Sequence, residues 1–453
     1  MKFFKINNLF GNKARKKSSA TPLLILCGCA LIIGGCSSKK ETPNIYYLNF
    51  KPEAAHIWEE IATEYTKQTG IPVKVLTASG GNYEQTLKAE IAKRDAPTLF
   101  QINGPVGYQN WHKYCLDLKD TKLYSWLLDP SLAVTGSDGG VYGIPYVVEG
   151  YGIIYNDAIM QKYFQLSSKK TSYKSMDEIN SFAKLKEVVE DMTAHKSQLG
   201  IEGVFASTSF RSGEDWRWQT HLANIPIYYE FKDKGIADTD SIDFTYNENY
   251  HNIFDLYINN SCTPKTELVS KTVNDSMEEF ALGKVAMVQN GNWAWGQISS
   301  ISGNVVNEAD CKFMPIYSGV TGEENQGLCT GTENFICVNN MVSEEDQKAS
   351  IDFIEWVYSS DIGKDYVTNS LGFISPFNTF TNEELPNDPL AKEVLFYMSD
   401  TSKTSVSWNF TAFPSQAFKD NFGSMLLNYC KGECTWSEVS QQVIESWANE
   451  KRK

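Results

Sequence analysis

The side chains best placed to do chemistry in this sequence are indoles and carboxylates that fall just past short apolar runs. Asn290-Gly291-Asn292-Trp293-Ala294-Trp295 follows the run Val285–Val288, and Trp216-Arg217-Trp218 lies at the end of the loop that follows Ile201–Ala206. Glu149 stands between apolar residues, Glu333 lies in Gly331-Thr332-Glu333-Asn334, Glu53 closes Lys51-Pro52-Glu53, and Trp408-Asn409 precede the C-terminal helical segments. An indole offers a flat apolar face and one N–H donor, and an ionised carboxylate is a strong acceptor. Together they can grip a ring that is apolar on its face and polar at its rim. The indoles can equally fill a core, and Glu53 can simply favour a helix N-terminus electrostatically.

The elements that must position these groups are readable from periodicity. A strand over Ile45–Phe50, a helix over Ala54–Thr69 with Ile57, Trp58, Ile61 and Tyr65 on one face, and a strand over Val73–Leu76 open the fold, with Gly70 ending the helix. Ser79-Gly80-Gly81-Asn82 forms a loop before a helix over Tyr83–Arg94, and Thr98–Ile102 forms a strand leading into Asn103-Gly104. A charged helix covers Met176–His195. Further on, Gly283 suits a helix C-cap, Asn290-Gly291 a turn, and Asn292 the N-cap of a new helix carrying the Trp pair. Such a loop, past a strand's carboxyl end in an open α/β sheet, is where ligands bind.

The segment Phe280-x-x-Gly283-x-x-Ala286-Met287-x-x-x-Gly291-x-Trp293-Ala294-Trp295 closely resembles a motif of the extracellular sugar-binding proteins of ABC importers, the extracellular solute-binding protein family 1. Tyr142-Gly143-Ile144-Pro145-Tyr146-Val147-Val148-Glu149-Gly150-Tyr151-Gly152 resembles the same family where its chain first crosses between lobes, and Glu149 matches its sugar-binding glutamate. Thr98–Ile102 is similar to the family's strand before a sugar-contacting loop, with Thr98 in place of its aspartate. The resemblance implies an α/β, two-lobed, periplasmic-binding-protein-like fold with three interlobe crossings. It also implies carbohydrate held at Glu149, Trp293 with Asn292, and the loop at Asn103; Glu53, Trp216, Trp218, Glu333 and Trp408 are the further candidate ligand-binding residues by side-chain type and position. One of Trp216 and Trp218 is expected to stack on sugar and the other to pack a helix; Trp295 stays open between ligand and core.

Residues 1–35 read as an export leader. Lys2, Lys5, Lys13, Arg15, Lys16 and Lys17 precede the apolar run Leu23–Ile33, and Ile33-Gly34-Gly35-Cys36 resembles a bacterial lipobox. That resemblance implies lipidation of Cys36, a polar tether over 36–44 and an extracytoplasmic protein held on the cell membrane by its lipid. The roughly 420 residues that remain exceed one hydrophobic core, so lobe 1 is expected over 45–148 and 317–373, and lobe 2 over 149–316 and 374–453. The formal charge of −14 becomes more acidic once the leader's cations are lost, which argues against nucleic acid despite the Trp-Arg-Trp interleaving.

Of ten cysteines, seven remain after Cys27, Cys29 and Cys36; Cys329/Cys337 and Cys430/Cys434 can each pair or stay reduced. Five scattered His and no clustered Cys argue against a metal, and neither Gly-x-x-x-x-Gly-Lys-Ser/Thr, Gly-x-Gly-x-x-Gly nor Gly-x-Ser-x-Gly occurs. The expected function is a monomeric receptor, without cofactor or catalysis, that delivers an oligosaccharide to ABC importer permease subunits. Two rivals are an exported glycoside hydrolase, which needs paired carboxylates across one bond, and a surface lipoprotein without a small ligand.

Overall fold

The computed structural model describes residues 42–78 and 82–452. The leader, Cys36, most of the tether and Ser79–Gly81 therefore lie outside the described residues. Strands are numbered in chain order. The first sheet holds β1 (Ile45–Asn49), β2 (Val73–Thr77), β3 (Leu99–Ile102), β4 (Val134–Thr135), β5 (Val141–Pro145) and β11 (Phe335–Val338), in the order β2-β1-β3-β11-β5-β4. The second holds β6 (Glu149–Asn156), β7 (Gly203–Phe205), β8 (Val285–Gly291), β10 (Gln326–Gly331) and β12 (Thr404–Ser407), in the order β12-β10-β6-β8-β7, with β9 (Cys311–Met314) also paired to β6.

Each sheet is covered by helices whose apolar stripes match its faces. The helix Ala55–Thr69 buries Trp58, Ile61 and Tyr65 beside β1, where Trp58 meets Tyr47 edge-on at 4.9 Å, and it ends at Gly70 with a left-handed φ of 74°. The second lobe is built around Tyr151, Ile153, Val204 and Met287, closed by the C-terminal helices Gln416–Lys431 and Trp436–Lys451, which bury Phe418, Phe422 and Trp447. Met176–His195 is not one helix. Ser181 accepts a hydrogen bond from the Lys184 backbone N–H and starts the helix Phe182–Ala194 afresh, leaving Met176–Glu178 as a separate turn.

The chain leaves the first sheet between Pro145 and Glu149, returns between Gly331 and Phe335, and reaches β12 after the helix Glu344–Ser359 and the segment around Leu371–Pro376. The second passage lies later than the sequence places it. Cys311–Met314 pairs antiparallel with β6, and β10 then pairs with both β6 and β12, so residues 317–331 stay with the second sheet. The two lobes touch at Gly104 and Thr411: a Cβ built on Gly104 would sit 3.2 Å from the Thr411 Cβ.

Candidate functional site

Glu149 opens β6, and its two neighbouring strands carry glycines at its level. Gly331 of β10 is opposite Glu149, and Gly291 of β8 is opposite Tyr151. Both glycines are seats for indoles. A Cβ on Gly291 would collide with the Trp293 ring, and one on Gly331 would come within 2.7 Å of Trp408. Only hydrogen at these positions lets each ring lie down on the strand.

Around this pair of seats the aromatic residues form one cluster. Trp293 lies 6.2 Å from Trp216, 5.5 Å from His221 and 6.5 Å from Trp408. His221 stacks on Tyr151 at 4.4 Å, and the Tyr151 hydroxyl donates to the His221 carbonyl at 2.9 Å. Trp216 and Trp293 are only partly buried. The Trp408 indole N–H is buried and has no hydrogen-bond partner.

The first lobe contributes the charge that meets Glu149. Asn49, at the end of β1, holds the next turn with its side chain: Nδ2 donates to the Lys51 carbonyl at 2.8 Å, and Oδ1 accepts from the Lys51 N–H at 3.1 Å. Lys51 is thereby aimed from the first sheet at Glu149 of the second. Its Nζ donates to Glu149 Oε1 at 2.7 Å, stands 3.5 Å from Glu53, and lies 5.6 Å from the Trp293 ring centre. Burial alone would lower the Lys51 pKa, but the charges of Glu149 and Glu53, aided by the hydrogen bond to Glu149, hold the ammonium above its ordinary value. Burial likewise pushes the Glu149 and Glu333 carboxyls up, with Lys51 opposing it at both and Lys419 also opposing it at Glu333.

The structure sorts the candidate residues. It brings Glu53, Glu149, Trp216, Trp293 and Trp408 together, with Glu333 near enough to act on Lys51 and Glu149 electrostatically. Trp218 is not part of this cluster; it is buried against Phe254 and Tyr257, at 6.0 and 5.3 Å, as a helix-packing residue. Trp295 packs against the cluster that holds Phe280 and Val288. Asn103 begins the helix Gly104–Trp111 at the point where the lobes touch.

Asn292 behaves differently from a helix cap. Asn290 and Gly291 continue β8 rather than turning, because they pair with Gly152 and Tyr151 of β6. The helix Ala294–Ser300 then starts without a side-chain cap, and Asn292 is pinned to Gly150: its N–H donates to the Gly150 carbonyl and its Oδ1 accepts from the Gly150 N–H, both at 2.9 Å. Four residues outside the sequence-based candidate set join this cluster: Lys51, His221, Lys419 and Arg217, the last noted in the sequence only as the cation between Trp216 and Trp218. For Lys51 the signal was its place in the strand-end loop beside Glu53. The seven cysteines of the described residues are all free, and Cys329 and Cys337 lie in different sheets.

Comparison with known proteins agrees with this architecture. Residues 60–393 match the family model described as bacterial extracellular solute-binding protein. A stretch of 143 residues is 28% identical to the melibiose/raffinose/stachyose-binding protein MelE of Bacillus subtilis strain 168, covering 31% of this chain and 33% of that protein's length. Among solved structures, the GacH receptor of Streptomyces glaucescens superposes with a TM-score of 0.68 at 17% identity, over 90% of this chain and 98% of that one. A sugar transporter protein of Bacillus licheniformis, in complex with stachyose, superposes with a TM-score of 0.65 at 16% identity, over 90% and 100%.

Proposed function

The chain belongs to the bacterial extracellular solute-binding protein family, and from that premise we propose that it is an extracytoplasmic oligosaccharide receptor that hands its ligand to the permease subunits of an ABC importer. The observation that carries the reading is Trp293 lying on Gly291 beside the buried Lys51–Glu149 pair. A sugar ring has a C–H face for the indole and a rim of hydroxyls for the carboxylates and the ammonium. In this reading Trp216, Trp293 and Trp408 supply stacking faces, Glu53, Glu149 and Glu333 accept from hydroxyls, Lys51 donates, and Asn103 serves the first-lobe wall.

Ligand closes the two lobes by stabilising the conformation in which both walls touch it. Cys36 carries the lipid that holds the receptor at the membrane surface. The names of the relatives favour an oligosaccharide as the ligand class.

A thermal-shift panel of mono- and oligosaccharides tests the proposal, because a ligand that binds only the folded state raises apparent stability by about 2.7 kcal/mol at a hundred times its Kd. At least one oligosaccharide is expected to raise the melting temperature by several degrees while remaining uncleaved after prolonged incubation. New reducing ends in that incubation would favour the hydrolase instead, and a flat panel would favour a surface protein without a small ligand.

A further inference from the structure

Three cations, each at least nine-tenths buried, act together on His221: Lys51 at 5% exposure, Arg217 at 1% and Lys419 at 8%. They come from three places, the loop after β1, the helical turn Arg217–Leu222 and the helix Gln416–Lys431. Lys51 has its counter-charge in Glu149 and Glu53. Lys419 feels Glu333, Glu84 and Asp420 at longer range but hydrogen-bonds to none of them, and the Glu84 carboxylate accepts from the Trp111 indole N–H at 3.0 Å instead.

Arg217 is the least satisfied of the three. Its Nε, Nη1 and Nη2 are all buried and have no hydrogen-bond partner. The one carboxylate that acts on it, Glu214, has an oxygen that accepts from the Val273 N–H at 3.2 Å. The guanidinium lies 4.4 Å from the centre of the Trp216 ring, which places it against the aromatic cluster that includes Trp293.

A buried cation without a counter-charge is costly, and sugar hydroxyls satisfy its donors while leaving the charge uncompensated. An anion with two coplanar oxygens answers both needs, and the rigid guanidinium fork matches that geometry. We infer that the oligosaccharide bound in this cleft carries an acidic group, a uronate carboxylate or a sulfate ester, seated against Arg217 with Lys419 as the second cation. The inference rests on the oligosaccharide-receptor reading and names the ligand class within it.

Calorimetric titration of the full chain tests this with neutral oligosaccharides of galactose, glucose and mannose, each beside its uronate and sulfated counterparts. An acidic member should bind at least about tenfold tighter than its neutral counterpart, and the carboxylate-against-sulfate ranking identifies the group. Arg217→Met should erase that preference and Arg217→Lys should retain part of it. Lys419→Met should reduce it as well, so the test survives an Arg217 variant that fails to fold. A neutral saccharide binding as tightly as its acidic counterparts overturns the inference and leaves the receptor reading standing. No binding by any saccharide overturns both.

Discussion

Lys51, in the loop after β1, and Glu149, at the start of β6 in the other sheet, are 98 residues apart in sequence and meet at 2.7 Å. This contact ties the lobe that begins the chain to the first residue of the strand that opens the second. Lys51→Met would leave Glu149 buried without its counter-charge, a change that costs about 3–5 kcal/mol in comparable buried pairs. The loss should be largest at alkaline pH. Glu149 in the variant has a folded-state pKa raised above its unfolded value, so its protonated form restores stability below the unfolded pKa, and that stability is lost as pH rises through the folded pKa. Melting temperatures of variant and wild type should therefore converge on acidification and separate as pH rises through the raised folded-state pKa of Glu149; a gap independent of pH would contradict the pairing.

Asp215 gives a pH dependence of its own. Burial, with Asp420 and Glu214 adding to it, pushes this carboxyl from 3.8 up to about 6, and its side chain lies tight against Gly423 of the helix Gln416–Lys431. Its contribution to stability is full below about pH 4 and is lost as pH rises through about 6. Asp215→Asn should stabilise the unliganded protein at pH 7 by up to about 3 kcal/mol and have little effect at pH 4. Chemical denaturation at the two pH values reads this directly, and equal effects at both would refute it.

Gly291 is tested by what its hydrogen allows. Gly291→Ala pushes a methyl into the Trp293 ring, so the indole must leave its seat on β8. Oligosaccharide affinity should fall by about tenfold or more, as expected when an anchoring aromatic is displaced. Unchanged affinity would mean that the seat does not matter to binding.

Much of this was legible in the chain. The first strand, read over Ile45–Phe50 and ending at Asn49, the helix ending at Gly70, and the candidacy of Glu149 and Trp293 follow from local pattern and motif. What was not legible depends on partners distant in sequence. Asn290-Gly291 carries a strong turn signal, yet pairing with β6 extends it as strand and turns Asn292 into a pin on Gly150. The passage at Gly331–Phe335 was placed too early because β10 reads no differently from a first-sheet strand until its neighbours are known. Trp216 and Trp218 look alike in sequence, and only the helical turn between them sends one to the cleft and the other to Phe254. Arg217 and His221 share one helical turn, but Lys51 and Lys419 reach them from the loop after β1 and from the helix Gln416–Lys431, a juxtaposition with no sequence spacing to betray it.

Cys36 lies outside the described residues, and its role is tested in cells. If a lipid on Cys36 holds the protein at the membrane, as proposed, Cys36→Ala should release it from the membrane fraction or leave the precursor uncleaved. Normal processing with full membrane retention would reject the anchor.

The central claim is that Trp293 holds a sugar between the lobes, and calorimetric titration of Trp293→Ala with the best-binding oligosaccharide tests it most directly. The indole is partly exposed and rests on Gly291, so its removal should leave the melting temperature of the unliganded protein close to wild type. Binding should weaken by about 2–4 kcal/mol, roughly a hundredfold or more. Full affinity in that variant would contradict the account.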